Sequence, residues 1–255
     1  MSSNKSVFLQ VTNVIFFIAT VAINALAGST TLLNGKTSGE ISDLYPTLIT
    51  PAGFTFSIWG IIYTLLLVFI VYQILPQNRE QSFLRQINFL FALSGILNIF
   101  WLFLWHYEFI TFSVILMFGL MATLIAIYLR LNIGRASVPL REKICVHIPF
   151  SVYLGWITVA SIANVAVALT VAGWDGGGIQ PVTWAVLVIV VALLITLIAI
   201  ATRKDVAYGL VIIWALAGII SKQVENQSVV LTGEAGIGII LTAIVLMAVV
   251  SRLKR

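Results

Sequence analysis

Eight stretches of this chain carry no Asp, Glu, Lys or Arg, and each is close to the length needed to cross a bilayer. They are Val7–Gly28, Gly53–Leu75, Ile87–Trp105, Phe109–Leu129, Ile144–Ala172, Val182–Thr202, Val206–Ser221 and Ala235–Ser251. A spanning helix needs roughly 20 predominantly apolar residues. The first six runs meet that need fully and the last two are short. None alternates with a period of two, which disfavours a β-barrel. The expectation is an all-α integral membrane protein of about eight transmembrane helices. Composition agrees: 60% of the 255 residues are hydrophobic and 9% are charged, and the mean hydropathy is +1.09. A soluble domain has about 25% charged residues, so the apolar excess has to face lipid.

The breaks between runs contain turn residues, and their charges set an orientation. With eight spans, the N-terminus, the even-numbered loops and the C-terminus share one side. That side holds Lys5, Arg79, Arg85, Arg130, Arg135, Arg141, Lys143, Arg203, Lys204, Arg252, Lys254 and Arg255, against only Lys36 and Lys222 on the other. By the positive-inside rule both termini are cytoplasmic and the protein is a multi-pass protein of the cell membrane. The long loop Ser29–Thr50 then lies outside and is free to fold over one end of the bundle. A rival reading makes the first run a signal peptide, since Ala25-Leu26-Ala27 precedes Gly28 like a cleavage site. The run is longer than the usual apolar core of about 7–15 residues and carries Asn13 and Asn24. Cleavage would leave seven helices with the same sidedness.

Several functions lose support at this stage. The net charge of +5 comes from cations dispersed in short loops, so nucleic acid is not an expected partner. Cys145 is the single cysteine, and His106 and His147 are far apart, so no metal-ligand spacing is present. No Asp, Glu, Lys or Arg lies near the middle of a span, which counts against a proton-coupled pump. General acid–base and nucleophile candidates are missing for the same reason. No enzyme is expected, and no required cofactor.

What the spans do contain is amides, hydroxyls and aromatics. At 1.5 Å per residue, Asn24 lies about 6 Å below the outer end of helix one, and Trp59 about 10 Å into helix two. Asn98 and Asn164 both lie about 12 Å below the outer ends of helices three and five. Asn98 and Trp101 share a helix face, as do Trp59 and Tyr63 with Phe56, and Trp156, Ala160 and Asn164 form a stripe. Two readings stay open. One is a pocket with flat aromatic walls and a few amides, suited to a flat, largely apolar ligand. The other is helix packing by asparagine and anchoring by tryptophan. Trp105 and Trp174, near helix ends, read as interfacial belt residues.

Those residues also carry a family likeness. Thr50-Pro51-Ala52-Gly53-Phe54-Thr55-Phe56-Ser57-Ile58-Trp59-Gly60-Ile61-Ile62-Tyr63 resembles the second-helix motif of the TspO/MBR (tryptophan-rich sensory protein, translocator protein) family, approximately W-T-P-P-x-W-x-F-x-P-V-W-T-x-L-Y. Asn98-x-x-Trp101 resembles the family's N-x-x-W in helix three, and Trp156-x-x-x-Ala160-x-x-x-Asn164 its W-x-x-F-A-x-x-L-N in helix five. Gly28 to Thr30 is similar to its small-residue start of the first loop. The likeness covers about residues 7–172. Ala52, Phe54, Ile58 and Val159 depart from the pattern, and the segment from Pro51 to Trp59 is one residue shorter.

The resemblance implies a five-helix bundle over residues 1–172, followed by a three-helix transmembrane extension over 181–255. It implies a pocket lined by helices one, two, three and five and capped by the first loop, with a tetrapyrrole (porphyrin or haem) or a sterol-like molecule as ligand. Asn24, Trp59, Tyr63, Asn98, Trp101, Trp156, Ala160 and Asn164 are the candidate lining. Homodimerisation rests on the resemblance alone. Three functions stay open: a receptor or sensor for such a ligand, a transporter or permease for a small hydrophobic molecule, and a structural membrane subunit without a ligand. Porphyrin degradation by tryptophans would need no acid–base pair. His106, at the end of helix three, reads as a polar helix-end residue or as a group approaching a haem.

Overall fold

In lipid every backbone N–H and C=O must be satisfied within the chain, and for apolar runs of this length the solution is the helix. The computed structural model describes residues 3–253, which are helical in ten main elements with no strand among the described residues. They are α1 (Ser3–Ser29), α2 (Ser38–Leu44), α3 (Ile58–Ile74), α4 (Ser82–Ile87), α5 (Leu90–His106), α6 (Ile110–Arg130), α7 (Ile148–Val171), α8 (Pro181–Arg203), α9 (Val206–Lys222) and α10 (Gln227–Leu253). A 3₁₀ turn, Gly53–Ser57, leads into α3, and a short helical lead-in with a π turn, Lys143–His147, precedes α7. Six helices are long and apolar enough to cross a membrane, and α5 and α9 are shorter apolar helices of 10–17 residues. The outward faces are apolar, with Phe8, Ile15, Ile18, Phe112, Ile115, Val245 and Leu246 all exposed, as a lipid-facing surface requires.

Two boundaries differ from the expectation drawn from uncharged runs. The third run begins at Leu90 instead of Ile87, because Asn88 takes a left-handed φ of 49° and separates the short α4 from α5. The last helix starts at Gln227, eight residues before Ala235, and includes Glu234. That carboxylate is exposed in the first turns, where a charge is tolerated without ending the helix. Local chemistry accounts for other boundaries. Pro181 opens α8, where its missing N–H costs nothing, and Lys204 closes it in the left-handed region. Pro149, at the start of α7, lacks the N–H that would bond back to Cys145, and the wide turn lies in the residues before it.

The first five spans form a closed ring in which α1 packs on α3, α3 on α7, α7 on α6, α6 on α5 and α5 on α1. The other three form a mutually packed unit, with α9 at its centre touching both α7 and the 3₁₀ turn. Gly95 permits the closest approach in the ring, since a Cβ there would meet Thr20 Oγ1 at 2.8 Å. At the cation-rich end α1 and α3 are tied by amides. Gln10 Nε2 donates to the Gln73 carbonyl, and Asn13 Nδ2 donates to Gln73 Oε1 at 2.9 Å.

At the cation-rich end a buried carboxylate helps join the unit to the ring. Asp205 caps α9, accepting from Tyr208 N at 3.1 Å. It also accepts from Ser151 Oγ of α7 at 2.6 and 2.7 Å and from Tyr128 Oη of α6 at 2.8 Å. Arg203 lies 5.1 Å above the Tyr128 ring. Nearby, Gly134 has φ +82°, and its Cβ would sit 1.7 Å from the Arg203 carbonyl oxygen, so only glycine fits. Removing the carboxylate leaves two buried hydroxyls without their acceptor. Asp205→Ala is expected to lower stability by about 3 kcal/mol, read as the midpoint of unfolding in a denaturing detergent, with Leu246→Ala on the lipid face as the unaffected control.

Candidate functional site

At the cation-poor end the ring encloses a cavity of about 550 Å³, within the range of small-molecule sites. Its walls come from α1 (Asn24), the 3₁₀ turn and α3 (Phe56, Trp59, Tyr63), α5 (Trp101, Trp105) and α7 (Trp156, Ala160, Asn164). Its cover is the loop after α1, where Thr37, Ser38 and Ser42 face the space. No charged residue lines it, and no His, Cys or Met does.

The aromatic lining is ordered by ring-on-ring contact. Trp59 stacks on Tyr63 at 5.5 Å and 16°, a consequence of their four-residue spacing on α3. It meets Trp156 edge to face at 6.3 Å and 85°, and Phe56 meets the same indole at 5.9 Å and 84°. Trp101 stacks on Trp105 at 6.0 Å. Trp105 is therefore a buried cavity residue, not the interfacial anchor its place near a helix end indicates. Trp174 lies in the α7–α8 loop, 44% exposed and tilted against Trp184.

The asparagines play a different part from the one expected of lining amides. Asn98 is fully buried, and it is not among the lining residues. Its Oδ1 accepts from Asn24 Nδ2 at 2.7 Å and its Nδ2 donates to Tyr153 Oη at 3.3 Å. Both ends of the amide are thus engaged in joining α1, α5 and α7. Asn164 does line the cavity, but Trp101 Nε1 donates to its Oδ1 at 2.9 Å, and its Nδ2 donates to Ser113 Oγ at 2.9 Å. These bonds tie α5, α6 and α7. Tyr153 and Ser113 were not singled out by sequence. A lone tyrosine or serine in an apolar helix carries no spacing that marks it.

Among the residues that line the cavity, two buried donors have no protein partner, Trp156 Nε1 and Tyr63 Oη. Burying a donor without an acceptor costs free energy unless something else supplies one. Both residues line the cavity, while the two atoms themselves are closed off from it, so an acceptor on a bound molecule would reach them only after a small side-chain shift.

The chain matches the family model described as TSPO-like protein over residues 10–249. The chain belongs to that family. No curated protein and no solved structure matches it. The match runs through α8, α9 and α10, so in this TSPO-like protein the last three helices lie inside the family's own pattern. Membership makes it a membrane protein of the TspO kind.

The cover is latched to the rest of this TSPO-like protein at the turn between α5 and α6. Glu108 accepts from Lys36 Nζ at 2.8 Å and from Tyr45 Oη at 2.8 Å. Asn34 Nδ2 donates to the His106 carbonyl at 2.8 Å. The His106 ring is fully buried, with Nδ1 3.0 Å from the Leu102 carbonyl and Nε2 3.4 Å from Ser38 Oγ. Both ring nitrogens are engaged, and His106 does not line the cavity. A capping box between Thr37 and Glu40 starts α2.

Hydrogen bonds from Lys36 and Tyr45 hold the Glu108 carboxyl below its usual range. A depressed carboxylate pKa gives stability that is present at neutral pH and lost as pH falls through the folded value, below the ordinary glutamate range. A nitroxide on Leu44→Cys, in a Cys145→Ser background, is expected to stay ordered at pH 7 and loosen in acid. Glu108→Gln should loosen it at pH 7. For the amides, Asn98→Ala should lower unfolding stability by about 1–2 kcal/mol through the two lost bonds, measured without any ligand.

Proposed function

We propose that this TSPO-like protein is a receptor or sensor that binds a flat, largely apolar molecule of the tetrapyrrole class in the cavity beneath the α2 cover. The observation that carries this reading is an aromatic cavity of about 550 Å³ walled by Trp59, Tyr63, Trp101, Trp105 and Trp156, with the Trp156 N–H and the Tyr63 hydroxyl beside it lacking protein partners. Flat π surfaces on Trp59, Tyr63, Trp101 and Trp105 suit a planar ring system. The donor set fits a metal-free porphyrin better than haem held through its iron, because no lining residue offers an axial nitrogen or sulfur ligand. The lining also has no cation, so a carboxylate edge of such a ligand would remain at the mouth, toward the hydroxyls of Thr37, Ser38 and Ser42.

Under this reading the protein is a multi-pass protein of the cell membrane with both termini cytoplasmic, and the cavity opens outward. Protoporphyrin IX should quench tryptophan fluorescence saturably in the detergent-purified protein. Trp59→Leu, checked for folding, should weaken binding about tenfold or more, by loss of stacking area. Quenching that is linear in concentration and equal in both proteins would mean partitioning into the micelle and would remove the tetrapyrrole. Binding without flux in proteoliposomes is expected of a receptor, and protein-dependent flux would reassign the chain as a carrier.

A further inference from the structure

The cavity's front wall is held from two sides: Phe56 packs on Trp156 of the ring, and a second set of contacts comes from outside the ring. The wall consists of the 3₁₀ turn Gly53–Ser57 and the residues before it, with Thr50, Pro51, Gly53, Phe56 and Ser57 facing the space. The hydrogen bonds that tie the backbone of this turn to another helix come from α9. Ala52 N donates to the Gly218 carbonyl at 3.0 Å, and Trp214 Nε1 donates to the Thr55 carbonyl at 2.9 Å. Phe54 meets the Trp214 ring edge to face at 5.6 Å. The approach is so close that a Cβ on Gly218 would lie 2.0 Å from Thr55 Oγ1, 2.9 Å from Thr55 Cγ2 and 3.0 Å from Pro51 Cβ. The C-terminal end of α9 reaches the cover as well. Lys222 Nζ pairs with Asp43 at 2.7 Å, and Gln223 Nε2 donates to the Thr47 carbonyl at 3.1 Å. One helix of the C-terminal unit thus grips both the wall and the lid of a cavity whose other walls belong to the ring.

We propose that Trp214 and Gly218 are positioning residues for the cavity, so that the docking of α9 sets its width and its closure. Neither residue lines the space; both act through the turn that carries Pro51 and Phe56. A small displacement of α9 would carry the front wall and the α2 cover with it. The three C-terminal helices therefore bear on what enters the cavity without touching it. The inference concerns the same cavity as the proposed receptor function but does not depend on the ligand's identity.

The test reads access directly. In full-length Cys145→Ser protein in detergent, a reporter at Ser42→Cys replaces a buried, cavity-facing residue of the cover. Its reaction rate with a polar maleimide is measured. Gly218→Ala should raise the rate about tenfold, corresponding to a shift of roughly 1.4 kcal/mol in the opening equilibrium. Adding Thr55→Ala removes the atoms nearest the new methyl and should return the rate toward the parent value. Thr55 Oγ1 has no protein partner, so its loss breaks no bond. Trp214→Phe keeps the aromatic ring, loses the N–H, and should also raise the rate. It serves as the test if Gly218→Ala fails to fold. Unchanged rates in folded Gly218→Ala and Trp214→Phe proteins would overturn the proposal, as would an equal increase from the lipid-facing Leu246→Ala. Protoporphyrin IX titration of the same proteins separates the two ideas. A parent protein that does not bind it would remove the tetrapyrrole reading and leave the labelling result standing.

Discussion

The structure depends on how a bilayer-embedded chain satisfies its polar side chains. With no water at that depth, each amide must find a partner on another helix. Asn98 joins Asn24 to Tyr153, and Asn164 joins Trp101 to Ser113. Between them these two residues tie α1, α5, α6 and α7 at one level. The apolar packing of such helices has no strong directional preference, so these bonds supply the register. The aromatic walls stand where they do because the amides behind and beside them are already committed. What is left facing the space is ring surface with a few hydroxyls and amides at its edges, a lining with no charge and much shape.

The opposite end follows the same rule with a different group. Asp205 caps a helix, and the same carboxylate receives hydroxyls from α6 and α7. A charge at that place is tolerable because it is fully hydrogen-bonded. The ring and the C-terminal unit are thereby joined at both ends of α9, by Asp205 at one and by the contacts of Trp214 and Gly218 at the other. The connection between the two units accordingly runs along α9, with the end of α8 adding Arg203 against Tyr128 and Ile133.

The membrane architecture was legible in the sequence because the bilayer imposes a length and forbids free charge. The apolar helices could be read from runs of uncharged residues alone, six of them long enough to cross a membrane, and the length of the first loop left room for a cover. Boundaries set by local backbone geometry could not, as at Asn88, nor could a helix that continues through the exposed Glu234. The site was legible as a set of helix faces. Spacing placed Trp59 with Tyr63, and Trp156 with Ala160 and Asn164, but it gives a direction and not a distance from the bundle axis. That is why Asn98 falls behind the wall and Trp105 falls on it. The contribution of α9 was hidden for another reason. Trp214 and Gly218 carry no motif, and their partners are far away along the chain.

That separation has a consequence for how the protein comes into being. Trp214 and Thr55 lie 159 residues apart. During synthesis the ring-forming helices emerge first and can assemble among themselves. The front wall is not fully fixed until α9 has been made, inserted and turned back against α7. Until then the front wall lacks the bonds from Ala52 to Gly218 and from Trp214 to Thr55. A wall encoded early in the chain is therefore braced by a helix encoded late, and the cavity takes its finished shape only once α9 is in place.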